Sequence, residues 1–232
     1  MAHSPNTTPQ MTRRAFLSAS LGVAALSLAG CGGSGATAGS ASGSASTAST
    51  SAAATDGPIT EATGDYASGF HDATIEVESY GTIKLQLNGT VAPVTVANFA
   101  NLASSGFYDG LTFHRIIKGF MMQGGDPNGD GTGGSDRTIV GEFAENGHPN
   151  PISHVRGTIS MARSSAPNSA SSQFFIMQED SVNLDGNYAA FGHVTDGMDV
   201  VDAICNSAEP TDSNGTIAKD KQPKITSLRM DD

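Results

Sequence analysis

Cysteine is nearly absent from this chain: Cys31 and Cys205 are the two examples in 232 residues. With Cys31 outside the folded domain, Cys205 has no partner, which excludes a disulfide inside that domain. Cys205 follows Val200, Val201 and Ile204 at helical spacing and reads as a packed side chain, not a nucleophile. Positive charge is also scarce, with 12 Lys and Arg against 23 Asp and Glu. Arg13 and Arg14 precede all the acidic residues, so from Asp56 onward ten basic residues face 23 acidic ones and the net charge is −13. Such a balance repels a phosphate backbone, and the cations form no run, so nucleic acid is not an expected partner. No apolar run approaches the roughly 20 residues that a bilayer-spanning helix needs. His71, His114, His148, His154 and His193 are scattered without a ligand pair, so neither a metal nor another cofactor is expected. Asp126-Pro127-Asn128-Gly129-Asp130-Gly131 opens like a calcium loop, but its twelfth position is Arg137 where a bidentate Glu is required.

What is present begins with an address. Thr12-Arg13-Arg14-Ala15-Phe16-Leu17 precedes a weakly apolar stretch from Ala15 to Ala29, and Leu28-Ala29-Gly30-Cys31 follows. The pattern reads as a signal peptide over 1–30. Its paired arginines resemble a twin-arginine export signal, and Leu-Ala-Gly-Cys resembles the bacterial lipoprotein box, in which the cysteine is lipidated. From Gly32 to Thr55 the chain contains only Gly, Ser, Ala and Thr, which supplies no side chains for a core. We therefore expect a lipid-anchored linker over 31–65, a folded domain over 66–232, attachment to the membrane through Cys31, and an extracytoplasmic, monomeric protein.

The domain reads mainly as strands. Thr74-Ile75-Glu76-Val77-Glu78 and Thr82-Ile83-Lys84-Leu85-Gln86-Leu87 alternate apolar with polar about Ser79-Tyr80-Gly81, which predicts an antiparallel hairpin. Pro93 suits a first helical position, Val96, Phe99 and Leu102 or Ala103 follow at helical spacing, and Gly106 stops the run. A second helix is expected over about Gly197 to Ser207. Short apolar runs, including 157–162 and 172–177, lie between them and are punctuated by Asp-Gly and Asn-Gly pairs. Many short strands with two helices predict a mainly β fold, a closed eight-stranded antiparallel β-barrel capped by two α-helices.

The stretch Phe113 to Pro127 places a permanent cation, large apolar side chains and an uncharged amide close together before a glycine turn. It has no nucleophile and no metal-ligand cluster, which suits a reaction that bends an amide rather than cutting it. Phe113-His114-Arg115, Gly119-Phe120-Met121, Gln123-Gly124-Gly125-Asp126-Pro127, Gly131-Thr132-Gly133-Gly134, Pro167-Asn168-Ser169, Ser172-Gln173-Phe174-Phe175-Ile176 and Leu184-Asp185-Gly186 occur in the order seen in cyclophilins. From about Ala73 to Met230 the chain resembles a cyclophilin-type peptidyl-prolyl cis/trans isomerase. The resemblance implies a substrate groove on the outer face of the barrel and proline-containing polypeptides as partners. It assigns the catalytic cation to Arg115, the proline pocket to Phe120, Met121, Phe175 and Leu184, and peptide contacts to Gln123, Ala162 and the backbone around Arg163. Asn183 and Tyr188 occupy two further substrate-side positions and depart from the family. Well-known members carry a tryptophan where this tryptophan-free chain has Asn183, and many carry a histidine where it has Tyr188. Without an indole donor, weak inhibition by cyclosporin is expected. The loop Ser164-Ser165-Ala166 is one residue longer than in shorter-looped members.

The chemistry follows from amide resonance, which sets a barrier near ~18–20 kcal/mol for rotation about Xaa-Pro. Once the prolyl nitrogen pyramidalises, its lone pair accepts a hydrogen bond, so a donor aimed there stabilises the transition state selectively. Arginine stays charged and offers a rigid fork of donors. Moving a ~100 s event to ~1 ms takes about 7 kcal/mol, whereas one charge-assisted hydrogen bond supplies roughly 1.5–3 kcal/mol. The remainder must come from holding the proline ring in an apolar pocket. A proline-peptide binding module or chaperone with little turnover is the alternative, since binding needs the pocket alone and turnover needs Arg115 as well.

Overall fold

Alternation along the first hairpin builds one wall of the core. In β1 (Phe70–Val77) Ala73, Ile75 and Val77 are buried, and in β2 (Gly81–Asn88) Ile83, Leu85 and Leu87 are buried, while their neighbours reach solvent. A computed structural model describes residues 57–232, so the expected signal peptide, Cys31 and most of the linker lie outside the described residues. Helix α1 (Pro93–Ser104) follows, then β3 (Thr112–Ile117), β4 (Met121–Asp126), β5 (Thr158–Met161), β6 (Phe174–Met177), β7 (Ala190–Asp196), α2 (Met198–Ser207) and β8 (Ile225–Met230). Four short 3-10 turns, among them Val182–Leu184, were not visible in the sequence pattern.

The eight strands form one antiparallel sheet in the order β3-β4-β6-β5-β7-β2-β1-β8. The sheet curls until its outer strands meet, not as a full ladder but through a bridge between Thr112 and Lys224. Backbone bonds from Gly110 to Ile225 and from Ile225 to Leu111, each 2.8 Å, reinforce that seam. The expected closure therefore rests on a narrow join. Helix α1 packs against β8 and β2, and α2 against β2 and β4. Phe99 of α1 anchors the core, with its ring 5.3 Å from Tyr108, 5.5 Å from Phe174 and 5.1 Å from Phe191. Cys205 of α2 is buried, and burial pushes its thiol up to about 12, which keeps it protonated and unreactive.

Helix α1 starts at a proline and has no side-chain cap of its own, since Ala92 precedes it. The buried carboxylate of Glu142 replaces that cap, accepting from the Val94 and Thr95 amides at 3.0 and 2.8 Å. The segment carrying Glu142 is itself fastened by Ile59, whose amide donates to the Thr138 carbonyl and whose carbonyl accepts from Val140. Asp126, the first residue of the calcium-like sequence, accepts hydrogen bonds from the Asn128, Asp130 and Gly131 amides. Its carboxylate thus ties the turn together.

Candidate active site

Two strands break the alternation of the first hairpin. Every residue of β6 is buried, as are all of β4 but Gln123, so this part of the sheet is covered on both faces. Met122, Phe174 and Ile176 face the barrel core. Met121, Phe175 and Met177 face outward and form a second apolar cluster, against which Ile117, Phe120, Ala162, Leu184 and Tyr188 pack.

Register explains how the polar groups join that cluster. Arg115 pairs with Gln123, Gln123 with Phe175, and Phe175 with Ser160, which makes one row across β3, β4, β6 and β5. One step along, Ile117, Met121 and Met177 form a parallel row. Phe113 of β3 faces the core, so strict alternation would send Arg115 inward as well. A register shift between Phe113 and Arg115 makes His114 an extra residue and turns Arg115 to the outer face. The bulge is what places the cation beside the apolar cluster.

Arg115 Nε donates to the Asn214 carbonyl at 2.8 Å, and Nη1 donates to Gln123 Oε1 at 3.2 Å. Burial pulls the guanidinium below its ordinary value, opposed by the Asp212 carboxylate among others, and it remains a cation at neutral pH. A guanidinium has five N–H donors, so these two bonds orient the fork and leave the rest for a ligand. Gln123 Nε2 donates in turn to Gln173 Oε1 at 2.9 Å, and Gln173 Nε2 to the Gly133 carbonyl at 2.7 Å. Gln173 was missed by sequence reasoning. It lies two residues before Phe175, and that spacing alone puts it on the same face.

Beyond Gln123 the surface hollows into a cavity of about 230 Å³, lined by Gln123, Ala162, Arg163, Gln173 and residues 131–133. Arg163 reaches back from it. Its guanidinium lies 4.9 Å from both the Phe143 and Tyr188 ring centres and donates to the Asn187 carbonyl through Nε and Nη2. Arg163 therefore clamps Tyr188 with its side chain as well as lining the cavity. The 164–169 loop is tied by Ser169, whose hydroxyl accepts from the Ser164 amide at 2.9 Å and donates to the Ala166 carbonyl at 2.6 Å. Asn183, in the Val182–Leu184 turn, is exposed and stands outside the apolar cluster.

His114 is buried, and neither ring nitrogen finds a partner among the described residues. Burial, helped by the Arg115 charge and opposed by Asp126 and Asp130, lowers its pKa; burial likewise lowers His154, against the pull of Asp185. Both histidines are held neutral in the fold but charge readily once unfolded, where the ordinary value is about 6.5. The unfolded chain therefore binds more protons just below that pH, so stability is lost as pH falls from about 6.5. His71 has the opposite sign: burial is outweighed by bonds to Asp232 and the Ser68 carbonyl, its pKa is raised, and its contribution fades as pH rises. Urea midpoints should drop between about pH 7 and pH 5, above the ordinary carboxylate range. The drop should be smaller in His114→Phe. Equal midpoints across that interval would contradict the neutral assignment.

A curled antiparallel sheet that carries a cation, two amides and an apolar cluster on its outer face defines the structural class. The family described as cyclophilin type peptidyl-prolyl cis-trans isomerase/CLD matches residues 73–230. A peptidyl-prolyl cis-trans isomerase of Synechococcus elongatus is 49% identical over 124 residues, covering 53% of this chain and 80% of that protein. Peptidyl-prolyl cis-trans isomerase B of Bacillus subtilis is 45% identical over 130 residues, covering 56% of this chain and 87% of that one. A crystal structure of a Cryptosporidium parvum cyclophilin type isomerase, in the presence of the dipeptide ala-pro, superposes with a TM-score of 0.61 at 32% identity, covering 69% of this chain and 99% of that chain. The chain belongs to the cyclophilin-type peptidyl-prolyl cis-trans isomerase family. Its enzyme class is that isomerase.

Proposed function

We propose that the domain accelerates Xaa-Pro rotation in exported polypeptides at the Arg115–Gln123–Phe175 row, assisting their folding. The observation that carries this reading is the juxtaposition of Arg115, with donors to spare, and the outward cluster of Phe120, Met121, Phe175 and Leu184. In this reading the proline ring rests on those four side chains while the preceding carbonyl swings. Arg115 then donates to the pyramidal prolyl nitrogen. Gln123 holds the guanidinium, is itself held by Gln173, and contacts the peptide along with Ala162 and the Arg163 backbone, on the side where the cavity opens. The Cryptosporidium parvum relative was solved in the presence of the dipeptide ala-pro, which agrees with a proline-containing ligand here. With Asn183 in place of an indole, weak cyclosporin inhibition belongs to the same reading. Protease-coupled or NMR exchange assays on an Xaa-Pro peptide test it: acceleration of about 10⁵ over the spontaneous rate is expected at saturation, and a rate no faster than the peptide alone would refute it.

Export and anchoring rest on the paired arginines, Leu-Ala-Gly-Cys31 and the Gly/Ser/Ala/Thr linker. We infer a lipid-anchored extracytoplasmic protein that acts as a monomer. Replacing Cys31 with Ser should move the expressed protein from the membrane fraction to the soluble one. Lasting attachment needs more than one acyl chain, so a variant that stays with the membrane would argue against the lipid anchor.

A further inference from the structure

His154 is fully buried behind the pocket, and nothing in the isomerase chemistry uses it. Its Nδ1 lies 2.9 Å from Asp185 Oδ1, and its backbone amide donates to the same oxygen at 2.7 Å. A carboxylate accepts only, so Nδ1 carries the proton. On the other side Nε2 lies 3.0 Å from Ser160 Oγ and, in the neutral ring, accepts from it. The connectivity is that of an Asp-His-Ser relay, but Ser160 has no exposed surface and no substrate can reach it. The relay therefore has a mechanical role.

Two pocket walls meet at this imidazole, and a third is tied to the same residue through hydrogen bonds. The ring stacks on Phe175 at 5.9 Å with an 18° tilt and meets the Tyr188 ring edgewise at 6.4 Å. Ser160, its hydroxyl partner, is the cross-strand neighbour of Phe175. The third wall is Leu184, in the 182–184 turn, and this turn is gripped at both ends. The Ser181 amide donates to the His154 carbonyl at 2.7 Å before the turn, and Asp185 is bonded just after it. Asp185 is the charged group facing the ring and Tyr188 the other titratable one.

We propose that His154 is a positioning residue that sets the proline pocket by fixing the Leu184 turn through its Nδ1–H bond to Asp185, while its ring contacts with Phe175 and Tyr188 serve stability. This rests on the isomerase reading, and it goes further by assigning pocket geometry to a buried polar group outside the substrate's reach. A pocket grips proline in the ground state and the transition state alike, so loosening it acts chiefly on KM, whereas loss of the Arg115 donor acts on kcat.

The test compares kcat, KM and the Kd of a proline peptide for the full domain and three variants. In His154→Asn the amide N–H sits where Nδ1–H was and keeps the Asp185 bond; in His154→Gln the amide reaches toward Ser160 instead. Asp185→Ala removes the anchor from a partly exposed position and leaves the core filled. The expected result is kcat/KM within about threefold of the parent for His154→Asn and about tenfold lower for the other two, mostly through KM. Thermal stability should not follow that order, because both histidine variants lose the ring stack. Equal impairment of the Asn and Gln variants, or Asp185→Ala within twofold of the parent, overturns the proposal. If the histidine variants do not fold, Asp185→Ala decides alone. A parent that binds the peptide without turning it over refutes the isomerase reading, and the Kd order of the same variants then decides this one.

Discussion

Arg115→Ala is expected to lower kcat on an Xaa-Pro peptide by about 10- to 150-fold, the equivalent of the roughly 1.5–3 kcal/mol of one charge-assisted hydrogen bond. Peptide Kd should change far less. The guanidinium rests on the Asn214 carbonyl and Gln123, both of which are near solvent, so its removal leaves no deeply buried unpaired group and the domain should remain folded. Arg115→Lys should recover little, because a point-like ammonium cannot hold Asn214 and Gln123 while also presenting a donor. The same measurement separates an isomerase from a proline-binding module: a variant that turns over like the parent would place the chemistry elsewhere.

Phe175→Ala should do more damage by another route. Its ring fills the outer cluster, pairs with Gln123 on one side and Ser160 on the other, and contacts both His154 and Tyr188. Only 5% of it is exposed. Truncation should cost about 3–5 kcal/mol of stability, as for other buried aromatic residues, and raise KM by well over tenfold, since the pocket floor goes with it. Denaturation and steady-state kinetics on the same preparation check both. A stable variant with unchanged KM would mean that proline binds elsewhere.

How much of this could be read from the chain depends on whether the cause is local. The β1–β2 hairpin, the Pro93 start of α1 and the run of α2 from Gly197 were legible because alternation, proline and glycine act over a few residues. Phe120, Met121, Phe175 and Leu184 of the outer apolar cluster were singled out by the resemblance, and Met121 and Phe175 also break alternation in strands buried on both faces. The bulge at His114 was not legible, since closure of the sheet decides it. Neither was the Glu142 cap on α1 or the His154–Asp185 bond, whose partners lie 47 and 31 residues apart. Polar partners of that kind are chosen by the assembled fold and leave no periodic trace.

Arg115, Gln123 and Phe175 stand on three adjoining strands of a continuous ladder, with Ser160 beneath them on a fourth. None of the four can shift without breaking inter-strand hydrogen bonds that also hold the core. Warming should therefore leave the catalytic geometry intact until the whole sheet melts, so that heat inactivation and global unfolding share one transition. An active site carried on hinged loops would instead fade first.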